Sequence, residues 1–344
     1  MAGYVLQGKT QSGSMVDIPL AATYDESGNE IATYYAAKTE YENMMAKLNT
    51  MDGKLDTVLM LSSVKSFAET SWSDIAKLSE SGYAASVFKV GEEKQITLTT
   101  GEVVTMVILG FDHDDLASGG KAGITLGTKN SLATSYAMNS ASKTYDGNSG
   151  YNAGGWLNSD MRNTTMPLIK GYLPSEVQDV IKTVKKKTSK GTQLSTLLET
   201  EDDLFLFSQE EVMGTINYST TGQNSFSGEG TQYEYFKNAT IPSPTSGTGS
   251  FSTLAGTGCF YTTDTSVASG YTNRFGQSKS TSANYYYNYN NAKAKGDSAT
   301  TASSWWLRSP YYSSSINFCC VYSNGYSDDY GAFNTDGVAF GFCI

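Results

Sequence analysis

The sequence predicts an α+β protein made of a small β module, a short helical stalk and one large C-terminal domain. Three observations lead there. A heptad-spaced apolar seam runs through residues 34–58, and alternating or continuous apolar runs recur between residues 85 and 109. The chain then closes on two apolar blocks that frame a polar, tyrosine-rich stretch. A chain of 344 residues is long enough for one large domain, a smaller module and an ample core.

Residues 1–33 read as the β module. Apolar positions alternate through Met15-Val16-Asp17-Ile18-Pro19-Leu20, and Asp25-Glu26-Ser27-Gly28-Asn29 supplies a turn. The stalk, residues 34–62, carries Tyr34, Ala37, Tyr41, Met44, Leu48, Met51, Leu55 and Val58 at alternating steps of three and four. That is an a/d seam too narrow for one chain to cover, so it predicts association, with Gly53 as a weak point. Residues 70–344 form the large domain. Strands are expected at Ala85–Val90, Gln95–Thr100 and Val103–Leu109, with Thr100-Gly101-Glu102 as a hairpin turn. Trp156, Leu157 and Met161 suggest a short helix. Pro174-Ser175-Glu176 opens a longer one, capped by Ser175, with Val177, Val180, Ile181 and Val184 on its apolar face. Asp203–Ser208 reads as a buried strand, and residues 213–303 as long loops with short strands.

The net charge of −10 and pI near 4.7 argue against nucleic acid or an anionic membrane as partner. The run Lys185-Lys186-Lys187 is expected at a solvated helix end. No run of 18 apolar residues is present, so no membrane insertion is expected. The opening MAGYVLQGKTQSG lacks a signal peptide, which implies synthesis in the cytoplasm and another route outward. Cys259, Cys319, Cys320 and Cys343 show no disulfide or metal spacing; they are expected as reduced thiols, with Cys319 and Cys343 buried.

Catalysis finds little support. The single histidine, His113, sits in Asp112-His113-Asp114-Asp115, which lacks the spacing of a calcium loop; turn hydrogen bonds account for these aspartates. No nucleophile elbow or phosphate loop occurs, so no cofactor, metal or catalytic residue is assigned. Asn284-Tyr285-Tyr286-Tyr287-Asn288-Tyr289-Asn290-Asn291 is read as a fixed surface loop.

From Tyr311 to Asp336 there is no Lys, Glu, Gln, Met or Trp. These are the residues that an Asn codon cannot reach when only its adenines change. The stretch has a paratope's composition. Its contact residues are read as Tyr311, Tyr312, Ser313, Ser314, Ile316, Asn317, Cys320, Tyr322, Ser323, Asn324, Tyr326, Asp328, Asp329, Tyr330, Phe333, Asn334 and Asp336. Trp305, Trp306, Arg308 and Gly337 are read as scaffold, with Arg308 locking onto a buried carboxylate; Phe318, Cys319, Val321 and Gly325 are fixed positions between the contacts.

With its flanks Trp305-Trp306-Leu307-Arg308-Ser309-Pro310 and Gly337-Val338-Ala339-Phe340-Gly341-Phe342-Cys343-Ile344, this stretch resembles the variable region of diversity-generating retroelement target proteins. The resemblance extends over about residues 85–344 through GGWLNSDMRN and DDLFLFSQEEVMG. It implies a C-type-lectin-like fold, of the branch similar to formylglycine-generating enzymes, presenting a variable face to a ligand. Enzymatic use of Cys319 or Cys320 is not expected, because both lie inside the variable-looking stretch. The segment ATYDESGNEIATYYA is similar to the N-termini of phage tail-fibre proteins. That implies virion attachment through residues 1–33, a trimer, and a protein or glycan receptor on a bacterial host. The alternative is a surface-displayed, lectin-like glycan-binding protein of a bacterium.

Overall fold

Helices and strands are mixed along the chain, so the protein is α+β. The computed structural model describes residues 5–9, 15–19, 39–49, 51, 61, 64–214, 225–237, 251–253, 260–262, 285–287, 292–323, 325 and 327–344. Chain contacts separate two units, Met1–Val64 and Lys65–Ile344.

In the first unit the alternation at Met15–Pro19 becomes a strand, antiparallel to Val5–Lys9 with Val5 opposite Pro19. The turn expected at residues 25–29 lies outside the described residues. Residues 39–49 are helical, and the seam residues Met44, Leu48 and Met51 stand 59%, 53% and 66% exposed. Three large apolar side chains on one stripe are thus left in water. Tyr34, Ala37, Gly53, Leu55 and Val58 lie outside the described residues.

The second unit is organised by an antiparallel five-stranded sheet. Its order is Phe205–Leu206, Phe340–Cys343, Ile124–Thr128, Val103–Phe111 and Glu93–Thr97. The expected hairpin at Thr100-Gly101-Glu102 forms: Leu98 donates to the Glu102 carbonyl at 2.8 Å, and Gly101 takes φ +88°, which glycine tolerates. The helix Trp72–Glu80 is capped by Ser71 and buries Trp72, Ile75 and Leu78, with Trp72 against Phe342 of the last strand at 6.2 Å. Each such large apolar side chain contributes about 1.5–3 kcal/mol. The chain end is drawn in too, because Ser79 Oγ donates to the Ile344 carbonyl at 2.5 Å.

Four sequence expectations are overturned. Ala85–Val90 is no strand: Ala84–Val87 makes one helical turn, and the buried positions Ala84 and Phe88 are four apart. The helix opened by Pro174 ends at Gln178, with Pro174 and not Ser175 at the N-cap and no side-chain cap bond. From Val184 the chain is a strand, Val184–Gly191, paired with Leu194–Asp202. Val177, Val180, Ile181, Thr183 and Val184 are all β-branched, which weakens helix extension and favours the strand. The lysine run therefore alternates across a sheet: Lys186 is buried while Lys187 is exposed. Within the tyrosine cluster read as a loop, Tyr285–Tyr287 is a strand paired with Phe260–Thr262, which pairs with Phe251–Thr253.

A three-stranded antiparallel sheet carries the C-terminal stretch: Trp305–Pro310, Asn317–Val321 and Ser327–Gly331. Trp306 stands opposite Cys320, and Cys320 opposite Asp328.

Candidate ligand-binding face

Every residue of Trp305–Pro310 is buried. Trp306 donates its indole N–H to the Tyr136 carbonyl and its backbone N–H to the Gly337 carbonyl, both at 2.8 Å. Gly337 is required by close approach: an added Cβ would lie 2.6 Å from the Ser304 carbonyl and 2.8 Å from Ser131 Oγ. Arg308 forks onto Glu211, with Nη2 to Oε1 at 2.9 Å and Nη1 to Oε2. It also donates to the carbonyls of Leu206 at 2.9 Å and Glu229 at 2.7 Å, and to Thr188 Oγ1 at 3.2 Å. The buried carboxylate expected for Arg308 is Glu211.

Glu211 belongs to a tetrad, Ser208-Gln209-Glu210-Glu211, that opens the helix Gln209–Met213 with a capping box. Its last three members then each hold another part of the domain. Gln209 donates to Ser327 Oγ at 2.8 Å and accepts from Ser225 N at 2.6 Å. Glu210 accepts the backbone N–H groups of Gly228, Glu229 and Gly230 at 2.8, 2.7 and 3.2 Å. Glu211 accepts from Arg308 and, at 3.1 Å, from Lys186.

Lys186 and Asp114 complete a buried ionic cluster. The ammonium reaches Asp114 Oδ1 at 2.5 Å and Tyr233 Oη at 2.8 Å, and lies 3.7 Å above the Phe205 ring. Burial alone would raise both carboxyls, but Lys186 holds Asp114 well below its ordinary range, and Arg308 with Lys186 lowers Glu211. Glu229 is different. Burial pushes it up to about 7, although Ser189 N donates to it at 2.8 Å and Ser309 Oγ also bonds it. A cavity of about 300 Å³ opens above this cluster, rimmed by His113, Lys121, Lys185 and Thr231. Its floor is saturated: the three ammonium protons of Lys186 and the guanidinium of Arg308 all have protein acceptors. Asp114 is thus the counter-ion of Lys186, while Asp115 pairs with Lys121 at 2.7 Å. Among the described residues the floor is a closed network of charge-assisted hydrogen bonds.

The residues read as contacts divide by exposure. Ser313, Ile316, Tyr330 and Phe333 are exposed; Tyr311, Tyr312, Ser314, Asn317, Tyr322, Ser323, Asp328, Asp329 and Asn334 are half-buried. Asn324 and Tyr326 lie outside the described residues. Two expectations are corrected. Cys320 is fully buried, because its strand is the centre of the sheet and its side chain is paired with Trp306. Asp336 is buried as well, accepting from Ser304 Oγ at 2.6 Å and Gly337 N at 2.8 Å. Neither presents a side chain to a ligand. Phe318, Cys319, Val321 and Gly325 are buried, as their reading as fixed positions requires, and so is Cys343. Burial raises the thiols of Cys319, Cys320 and Cys343 well above their usual range, so all three stay protonated. Cys259 lies outside the described residues.

Fixed parts of the domain grip the stretch. Asn152 donates from Nδ2 to the carbonyls of Ser314 at 2.7 Å and Asn317 at 2.8 Å, and its backbone N–H reaches Ser315 O at 3.1 Å. Gln193 donates to Ser313 O at 2.8 Å from a two-residue hairpin turn, Thr192-Gln193, with φ +50° and +64°. Asn152 Oδ1 accepts from Thr192 N at 2.8 Å and ties that turn down. Aromatic residues add support: Tyr330 lies on Trp306 at 5.9 Å, Phe333 on Tyr151 at 5.1 Å, and Tyr312 on Phe226 at 6.4 Å. Sequence reasoning missed Tyr151, Asn152, Gln193 and Gln209. Residues 143–153 form a turn-rich run with Asn148 and Asn152, a loop signal that gives no hint of its long-range partner.

Residues 124–344 match the model of a family described as a domain of unknown function, DUF6273. The chain belongs to the DUF6273 family. Comparison with curated proteins and with solved structures finds no match. The DUF6273 match begins at Ile124, the first residue of the sheet's middle strand. In this chain, residues before the match supply two further strands of that sheet, and Asp114 of the buried cluster.

Proposed function

We propose that this DUF6273 protein is a non-enzymatic binding protein whose C-terminal face is diversified by adenine-directed retroelement mutagenesis, on a C-type-lectin-like domain. The observation that carries the reading is how the stretch is held. Asn152 and Gln193 bond the carbonyl oxygens of Ser313, Ser314, Ser315 and Asn317, atoms that every residue type possesses. A frame that grips main chain keeps its geometry while side chains change. The setting we infer is a phage or prophage tail tip, in which residues 1–33 attach to the virion and the 34–62 seam brings chains together as a homo-oligomer that binds a receptor on a bacterial host. The exposed stripe of Met44, Leu48 and Met51 supports the association.

The test is genetic. The gene's 3′ end is sequenced from sibling isolates, and its neighbourhood is searched for a reverse transcriptase and an Asn-rich copy of residues 305–344. Substitutions concentrated at adenine-derived codons are the expected result. Changes spread evenly along the chain, or no such copy, would refute the reading.

A further inference from the structure

We propose that the face formed here takes a protein segment bearing lysine or arginine, which seats its cations against Asp328 and Asp329 and its apolar surface on Tyr330, Phe333 and Ile316. This rests on the reading of residues 311–336 as the binding face. The exposed apolar surface comes first: Ile316, Tyr330 and Phe333 are 42%, 41% and 49% exposed, grouped on one short stretch. Charge then selects the occupant. Several half-buried or buried carboxylates elsewhere in the domain have an answer, although Asp297 and Asp336 each keep one oxygen without a hydrogen bond. Asp160, Asp202, Asp203, Asp114 and Glu211 each pair with a lysine or arginine, while Glu210 and Glu229 accept backbone N–H groups.

Asp328 and Asp329 have no such cation. Among the described residues no Lys or Arg nitrogen lies within ion-pair distance of either, and residues 311–336 contain no basic residue. Asp328 accepts from the backbone N–H of Asp329 at 2.8 Å, and Asp329 accepts from Asn317 Nδ2. Adjacent on the strand Ser327–Gly331, an outer strand of its sheet among the described residues, the two carboxylates act on each other: burial first and then Asp328 raise the Asp329 carboxyl. Tyr311 and Tyr322 feel this charge: burial first, and then Asp329 for Tyr311 and Asp328 for Tyr322, raises their hydroxyls. A carboxylate without a cation suits a guanidinium or ammonium, which gains a charge-assisted hydrogen bond there. An anionic glycan or phosphate would meet repulsion instead, from a chain whose net charge is already −10.

The test uses the full-length protein and fluorescence anisotropy at low ionic strength. The probe is a short labelled peptide of arginines separated by glycine and serine. The same peptide with citrulline, a heparin fragment and a neutral dextran oligomer serve as comparisons. The arginine peptide is expected to bind, and D328N/D329N to weaken it about tenfold. A second pair of removed charges, E176Q/D179N at exposed positions elsewhere, is expected to leave binding unchanged. D328N alone, which keeps the Asn317 contact, guards against a folding defect in the double variant. Equal loss in both double variants would reduce the effect to diffuse attraction and overturn the proposal. Citrulline, heparin or dextran binding as well as the arginine peptide, or binding that needs added calcium, would also overturn it. The two readings fail separately. Siblings varying at 311–336 with peptide binding indifferent to D328N/D329N would leave the diversified face and remove the basic partner. Unvarying siblings with carboxylate-dependent binding would do the reverse.

Discussion

Glu229 makes the folded protein sensitive to pH near neutrality, and Glu229→Gln isolates the effect. The carboxyl is fully buried and its pKa rises from 4.5 to about 7. Burial is the main cause; the donors Ser189 N and Ser309 Oγ and the nearby Arg308 only partly offset it. The folded state therefore holds a proton that the unfolded chain has already released. Below about pH 4.5 both states are protonated and the group is neutral to stability. As pH rises from there to about 7 stability falls, and above 7 the loss is complete. A shift of about 2.5 units at 1.36 kcal/mol each amounts to about 3 kcal/mol. Glutamine mimics the protonated acid and cannot ionise. Urea denaturation of the full-length protein and of E229Q, at steps between pH 5 and 8, measures the difference. The two stabilities should diverge with rising pH, the variant gaining about 3 kcal/mol relative to wild type over that interval. Parallel profiles would refute the reasoning, because they would mean that Glu229 is already ionised, or solvated, in the folded state.

Three other outcomes follow from the same geometry. Arg308→Met leaves Glu211 with one cation fewer and the Leu206 and Glu229 carbonyls without their donor, so it should cost about 3–5 kcal/mol, while Tyr330→Ala on the exposed face costs under about 1 kcal/mol, both by thermal or urea unfolding. In a Cys259→Ser variant, a thiol reagent should label nothing in the native protein at pH 8 and three cysteines after denaturation, because Cys319, Cys320 and Cys343 are buried with raised pKa. Met44→Lys with Leu48→Lys should lower the mass seen by light scattering to that of one chain, and a single-chain mass for the unaltered protein would exclude the stalk as an oligomer seam.

The legible parts of the fold were those fixed by local periodicity or turn chemistry. The hairpin at Thr100-Gly101-Glu102, the buried strand Phe205–Leu206 and the apolar flank Trp305–Pro310 appear where their patterns place them, while the last strand, expected at Val338-Ala339-Phe340, runs instead over Phe340–Cys343. The misreadings share one cause. A Val/Ile pattern at 177–184 fits a helix face and a strand alike, and the choice was made by the hairpin that pairs Val184–Gly191 with Leu194–Asp202. Lys186 looked like a solvated charge because its partners, Asp114 and Glu211, are 72 and 25 residues away. The frame of the candidate face was illegible for the same reason: Asn152 and Ser314 are 162 residues apart, and Gln209 and Ser327 are 118 apart. The composition of residues 311–336 pointed to the face itself, but composition says nothing of which side chains turn inward.

That inward turning yields a position-by-position forecast for sibling sequences. Where the frame holds only main chain, at Ser313, Ser314, Ser315 and Asn317, any residue keeps the grip, and exchange there should be free. Tyr330 and Phe333 pack on Trp306 and Tyr151 at the rim and are 41% and 49% exposed, so polar replacements cost little. Ser327 is otherwise constrained, since its hydroxyl accepts from buried Gln209 and a larger side chain would push on the tetrad that also holds Arg308. Cys320 and Asp336 belong with it: the first fills space against Trp306, and the second takes the Ser304 and Gly337 donors. Under the proposed adenine-directed mutagenesis, it is selection for folding that spares these positions. Siblings should therefore vary at 313–317, 328–330 and 333–334 while keeping small or apolar residues at 318–321, a small hydroxyl at 327 and a hydrogen-bond acceptor at 336. Free exchange at 320 and 327 in folded, functional siblings would show that the stretch is not seated in this frame.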